Sequence, residues 1–407
     1  MLDLQARHLD ASHLRHAGRE VLSLALMDAR NQSLRWIAAC ETALGGPDMP
    51  VPRGAEINPP LWEIGHVGWF QEHWIGRNLQ RRRGVACEPG HARLASILPH
   101  ADRWFDSTQV AHATRWELDL PGLDVLRAYL VDTLESTLEL LHGSPEDDAS
   151  LYFYRLALFH EEMHIEALAI LSQTLGFDAG LLARPASLAA RAPLLFPATR
   201  WTLGGQTQGF VFDNELGALE LEVPEFEIDA QPVSWAQYSE FVEDGGYDEA
   251  RHWHPDGWAW VGREGRRTPR HVEQMRHGVL QRRFGQAVRV PMAQPAVHLS
   301  WYEADAWCRW AGRRLPGEAE WDLAAHQGAS RGFRWGEVWE WTATRFAPYP
   351  GFVPHPYRDY SQPWFHTHKV LRGASLATRP GLRSPSYRNF YLPTRDDIYA
   401  GFRSCAA

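Results

Sequence analysis

The chain has 407 residues, 44% of them apolar and 22% charged, a length that suits two hydrophobic cores better than one. Its 41 basic and 50 acidic side chains give a net charge of −9 with histidine neutral, which speaks against a general nucleic-acid binder or a ligand of anionic membrane surfaces. No apolar run reaches the ~18 residues of a membrane span, and the start, MLDLQARHLDASHLRHAGRE, lacks the basic and apolar stretches of a secretory signal.

Residues 1–180 read as helical. Leu and Ala recur at three- and four-residue steps over 21–44, 123–143 and 151–176, with Gly143 and Gly176 where helices should stop. Asn58-Pro59-Pro60 fits the start of another helix through 61–80, with proline in its first turn. Four long helices with short and medium connections imply an antiparallel bundle. Residues 181–196, rich in Ala and Pro, read as a connector. From 197 to 407 Gly, Pro, Trp and Tyr become dense, and only 234–246 and 301–314 read as helices. Short strands and long ordered loops fill the rest, so the fold class is α+β. Cys40, Cys87, Cys308 and Cys405 stand apart without a CxxC, which suits packing thiols in a reduced, cytoplasmic protein. The 19 Trp, 12 Tyr and 17 Phe supply core volume first, and can also form a cage for a quaternary ammonium group.

The sharpest chemical signal is LFHEEMHIEAL. His160 and His164 share one helix face and can take adjacent positions on one metal ion. His160-Glu161-Glu162-Met163-His164 also matches HExxH literally, the pattern of zinc metallohydrolases with Glu161 as base. His66, in the middle of an apolar helix between Trp62 and Trp69, needs a partner and is the third candidate ligand. Three neutral imidazoles leave positions open for oxygen and substrates on iron(II), whereas three around zinc suit hydration; spacing does not choose between the metals. Glu166 reads as a group supporting the ligands or joining the two halves.

The C-terminal half carries PAVHLSWYEADAWCRWAGRRLPGEAEWDLAA, VWEWTAT, VLRGAS and AGFRS, with FVFDNE (210–215) and FVEDGGY (241–247) before them. These resemble the formylglycine-generating-enzyme fold, a C-type-lectin-like domain. GHVGWFQE and HEEMHIEAL resemble the DinB-like four-helix bundle. In this order the two are similar to the sulfoxide synthases of ergothioneine biosynthesis. The resemblance implies iron(II) on His66, His160 and His164, and a reaction with O2 that joins a sulfur donor to C2 of the hercynine imidazole. It implies a tyrosine near the metal that assists the oxygen step, carried over to Tyr357 within YPGFVPHPYRDYSQPWF. Hercynine contact carries to Tyr360, expected to face the same pocket, and the trimethylammonium end to Asn389 and Phe390.

This chain departs from the family at the donor side. Where relatives commonly read RNWD it reads Arg388-Asn389-Phe390-Tyr391, so Tyr391 replaces the aspartate that helps hold the amino group of gamma-glutamylcysteine. Met163 stands where relatives carry glutamine, and Arg115 aligns with a donor-binding arginine. A donor without an amino-acid end fits these changes. PLWEIGHVGWFQEHW and RNFYLP resemble the selenoneine synthase branch, which couples hercynine to a selenosugar; family members using cysteine or gamma-glutamylcysteine are the alternative. The expected partners are hercynine, a selenosugar or thiol donor and O2, in a monomer or small homo-oligomer without nucleic acid or membrane. Rival readings are a zinc metallohydrolase, a true formylglycine-generating enzyme, for which no suitable cysteine pair is visible, and a non-catalytic binding module.

Overall fold

A computed structural model describes residues 10–407. Residues 1–9, which begin the stretch read as helical and as lacking a secretory signal, lie outside the described residues.

Four long helices form the N-terminal half: α1 (Arg19–Ala43), α2 (Pro60–Gln71), α3 (Leu123–His142) and α4 (Asp148–Leu175). α1 packs on α4 and α3, and α2 packs on α3 and α4. Local chemistry sets the ends of α4: the Asp147 carboxylate caps the Ser150 amide at 2.8 Å, and Gly176 ends the helix at φ 81°. α2 is shorter than its apolar pattern. After Gln71 the chain widens into a π turn, Glu72–Gly76, closed by Arg77 N–H donating to the Glu72 carbonyl at 2.8 Å, so the helix does not run to residue 80.

The segment 181–196 is not connector throughout, because Leu194–Phe196 pairs antiparallel with Phe226–Ile228 in a four-stranded sheet. A second four-stranded sheet orders Asn389–Tyr391, Lys369–Gly373, Trp339–Arg345 and Ala400–Gly401. Helices α5 (Trp235–Glu243) and α7 (Trp301–Trp310) fall within the two expected spans, and each begins at a serine capping box, Ser234 with Gln237 and Ser300 with Glu303. Two further helices, α6 (Pro255–Glu264) and α8 (Glu318–Gln327), occupy sequence read as irregular.

The larger of two hydrophobic clusters among the described residues runs through both halves, and a smaller one gathers around Phe196, Phe226, Ile228 and Trp321. Phe159 of α4 packs on Phe210 at 5.0 Å between ring centroids, and Arg15 forms a buried ion pair with Glu215 at 2.8 Å. The four cysteines are buried and free. No helix among the described residues is long and apolar enough to cross a membrane.

Candidate metal centre

α2 and α4 bring His66, His160 and His164 together, with one ligand nitrogen from each within 4.8 Å of the others. The Nε2 atoms of His160 and His164 are 3.2 Å apart, a separation suited to neighbouring positions on one ion with metal–imidazole bonds of about 2.0–2.1 Å. The outer nitrogens are held by oxygen: His66 Nδ1 lies 2.7 Å from the Phe105 carbonyl, and His164 Nδ1 lies 2.6 Å from Glu63 Oε1. Such contacts fix a ring's orientation and leave the other nitrogen facing a metal. Gly65 makes the first contact possible, since a Cβ there would lie 2.2 Å from the Phe105 ring. Aromatic walls hold the rings: Trp62 stacks on His66 at 4.8 Å, and Phe70 on His160 at 3.5 Å between centroids.

Electrostatics favour the form that binds metal. Burial, then the neighbouring His164, pushes His66 down to about 3, and burial holds His160 well below the ordinary histidine range. Both rings are therefore neutral at pH 7, with a lone pair to offer. Burial pushes Glu63 up, but His164, Asn58 and His66 outweigh it, so its carboxyl sits below the usual range and stays anionic. The set fits a divalent transition metal: three imidazoles, two of them oriented by oxygen acceptors, in an aromatic enclosure.

The residues expected to surround the metal come from both halves. Tyr357 packs on Phe70 at 5.0 Å and lies 6.2 Å from the His160 ring. Tyr360 lies 6.1 Å from Tyr357 between ring centroids. Tyr357 lines a cavity of about 440 Å³ with Phe70, Trp74, Asp106 and Asp359. Tyr360 lines another of about 200 Å³, which also takes in Met163, Asn389, Phe390 and Tyr391. Arg115 lies against the triad's other flank, its guanidinium 3.6 Å over the Trp62 ring and 2.6 Å from Asn58 Oδ1.

Residues 185–337 match the sulfatase-modifying factor enzyme 1-like domain. Over 95% of this chain, 31% of residues are identical to a hercynine oxygenase of Mycolicibacterium smegmatis, covering 98% of that protein. The chain belongs to the hercynine oxygenase family. It is thus an oxygenase of the ergothioneine-type sulfoxide synthase kind. A second member, from Mycobacterium tuberculosis, is 30% identical over 94% of this chain and 98% of its own length. The mouse formylglycine-generating enzyme is 30% identical over 39% of this chain and 46% of its own.

Within this family context the two glutamates of α4 take distinct places. Glu161, the would-be base of HExxH, is buried away from the triad. It accepts from Arg30 Nε at 2.8 Å, Arg30 Nη2 at 3.1 Å and the Ser33 hydroxyl at 2.8 Å on α1. That engagement removes the feature on which the zinc metallohydrolase reading rested. Glu166 joins the halves: it accepts from Trp339 Nε1 at 2.8 Å and the Ser375 hydroxyl at 2.7 Å. Sequence reasoning missed Glu63 and the Phe105 carbonyl. A carboxylate one turn before His66 on an apolar helix was the available signal for the first; a backbone oxygen contributed from a distant turn leaves none.

Proposed function

We propose that this enzyme is an iron(II), O2-dependent selenoneine synthase, joining selenium of a selenosugar to C2 of the hercynine imidazole. The reading assigns residues 1–180 to a DinB-like bundle and 197–407 to the formylglycine-generating-enzyme-like domain, with a connector between them whose last residues, Leu194–Phe196, pair into that domain's sheet. Support for the family reaction comes from the three converging imidazoles. Support for the selenium donor comes from the resemblance: Tyr391, which lines a cavity with Met163 and Tyr360, stands where the family pattern implies an aspartate for an amino-acid donor.

His66, His160 and His164 would hold the iron, which supplies a redox centre for O2 and a site at which the reactants meet. Met163, between two of these ligands, and Tyr360 form the near wall of the substrate cavity. Asn389 and Phe390 would receive the trimethylammonium end of hercynine, an aromatic contact worth about 0.5–2 kcal/mol. Tyr391 offers a phenol without charge to a sugar hydroxyl. Arg115 remains the candidate for donor contact on the opposite flank. Burial, with Asp359 and Asp106 nearby, pushes the Tyr357 phenol up, so it stays protonated and can give a hydrogen bond or a proton to the oxygen side of the reaction.

The alternative within the family is carbon–sulfur bond formation with cysteine or gamma-glutamylcysteine. Anaerobic iron(II) protein given hercynine and O2, with selenoglucose, cysteine and gamma-glutamylcysteine in parallel, separates the two by product mass. Selenium incorporation in preference to sulfur is expected. Turnover with a thiol but not with selenoglucose overturns the donor assignment.

A further inference from the structure

The FVFDNE motif does not touch the metal triad, yet Asp213, Asn214 and Glu215 are all buried. Phe212 stacks on Tyr360 at 4.7 Å between centroids. The Asn214 carbonyl accepts from Arg388 Nη1 at 2.7 Å, beside the strand of Asn389, and its side-chain amide donates to the Ser361 hydroxyl at 3.1 Å. Asp213 stands between the two ends of segment 355–361. Its Oδ1 accepts from the Ser361 hydroxyl, and its Oδ2 accepts from the His355 backbone N–H at 3.4 Å. The His355 ring is held in turn by Tyr152 of α4, whose hydroxyl lies 3.0 Å from Nδ1.

Between these anchors lie Pro356, Tyr357, Arg358, Asp359 and Tyr360. The crossing from 346 to 368 that contains them has one 3-10 turn, Gln362–Trp364, and no strand of its own. Ordering such a segment costs roughly 1–2 kcal/mol per residue, so side chains that must stand within about 0.5 Å of a productive place need fixed anchors. A carboxylate is suited to the task, because each of its oxygens can accept from one end of the segment. An amide has one acceptor oxygen and would turn an N–H toward one of the two donors. Burial pushes the Asp213 carboxyl up to about 6, against the opposing hydrogen bonds from Ser361 and His355, so it is a carboxylate at neutral pH.

We propose that Asp213 is a positioning residue whose carboxylate clips both ends of segment 355–361 and thereby sets where Tyr357 and Tyr360 stand relative to the three histidines. The catalytic consequence rests on the roles given to those tyrosines under the proposed function; the clip itself does not.

The test uses the full chain with Asp213→Asn, Asp213→Ala, Tyr357→Phe and the double variants. In the metal-free protein, backbone amides of 355–361 should exchange with solvent at least tenfold faster in Asp213→Ala, while those of 160–166 keep their wild-type rates. In the iron-loaded protein, Asp213→Asn should lower kcat more than it raises the KM for hercynine. Combined with Tyr357→Phe, it should cost less than the product of the two single effects, because part of its action runs through that tyrosine. Unchanged exchange over 355–361, or effects that multiply in the double variant, overturns the proposal. Should the Asp213 variants fail to fold, Ser361→Ala removes one anchor and is judged by the same readouts. If no donor turns over, the reaction assignment falls while exchange still decides the clip.

Discussion

Glu161→Ala separates a structural glutamate from a catalytic one. Arg30 and Glu161 are 1% and 2% exposed, and the guanidinium also donates to Gln71 Oε1 at 2.6 Å and to the Leu130 carbonyl. Truncating Glu161 leaves a buried cation without its counter-charge, and Ser33 loses its acceptor. Breaking a buried pair in this way costs about 3–5 kcal/mol, two to four orders of magnitude in the folding equilibrium. Replacing both partners by apolar groups of similar size, Arg30→Met with Glu161→Leu, should recover most of that loss. Equilibrium urea unfolding of the metal-free chain provides the assay, with iron(II) binding measured alongside. The expected pattern is a large loss of stability in Glu161→Ala, recovery in the double variant, and one iron bound by each folded protein. A stability change below about 1 kcal/mol together with abolished turnover would refute the reasoning and restore Glu161 as a base.

Glu63→Gln should keep the fold but bind iron(II) about 10–100-fold more weakly, because His164 loses the carboxylate that orients it; competition titration against a chelator reads the change. Tyr357→Phe should leave iron binding unchanged and lower the rate of product formation by about 10²-fold or more if the phenol passes the proton, measured by single-turnover mass spectrometry. The metal-free protein should be acid-labile. His66 is held down to about 3, and His160 and His298 well below their ordinary value, each chiefly by burial. The unfolded chain takes protons on these groups from about pH 6.5 downward while the folded chain does not. Their contribution is therefore fully present above about pH 6.5 and falls on acidification by up to about 1.4 kcal/mol per pH unit for each such group, opposed in part by Glu162 and Glu303, whose carboxyls burial pushes up to about 8 and about 7. A urea midpoint that stays flat from pH 7 to pH 5 would contradict this.

Much of the metal site was legible because helical geometry is periodic. His160 and His164 must share a face, and a histidine in the apolar run of α2 had to meet a partner. What periodicity does not carry is where a helix yields. Gln71 gives way to a π turn because Arg77 bonds to Glu72 and to Asp102 at 2.7 Å, a contact with a residue far along the chain. α6 and α8 were missed because short, Trp-bearing helical segments resemble ordered loop, although Pro255 and Gly265 bracket α6 as a helix start and stop would. The aromatic strap was recognisable only through resemblance. Its anchors Asp213, His355 and Ser361 adjoin only in three dimensions. Leu194–Phe196 passed for connector because a strand edge becomes evident only beside Phe226–Ile228.

Iron K-edge X-ray absorption on the anaerobic chain loaded with iron(II), compared with His66→Ala, tests the central claim most directly. One iron per chain with three imidazole ligands in the wild type, and loss of tight binding in His66→Ala, is the predicted result. Equal binding by the two proteins, or an iron shell without imidazole, would contradict it.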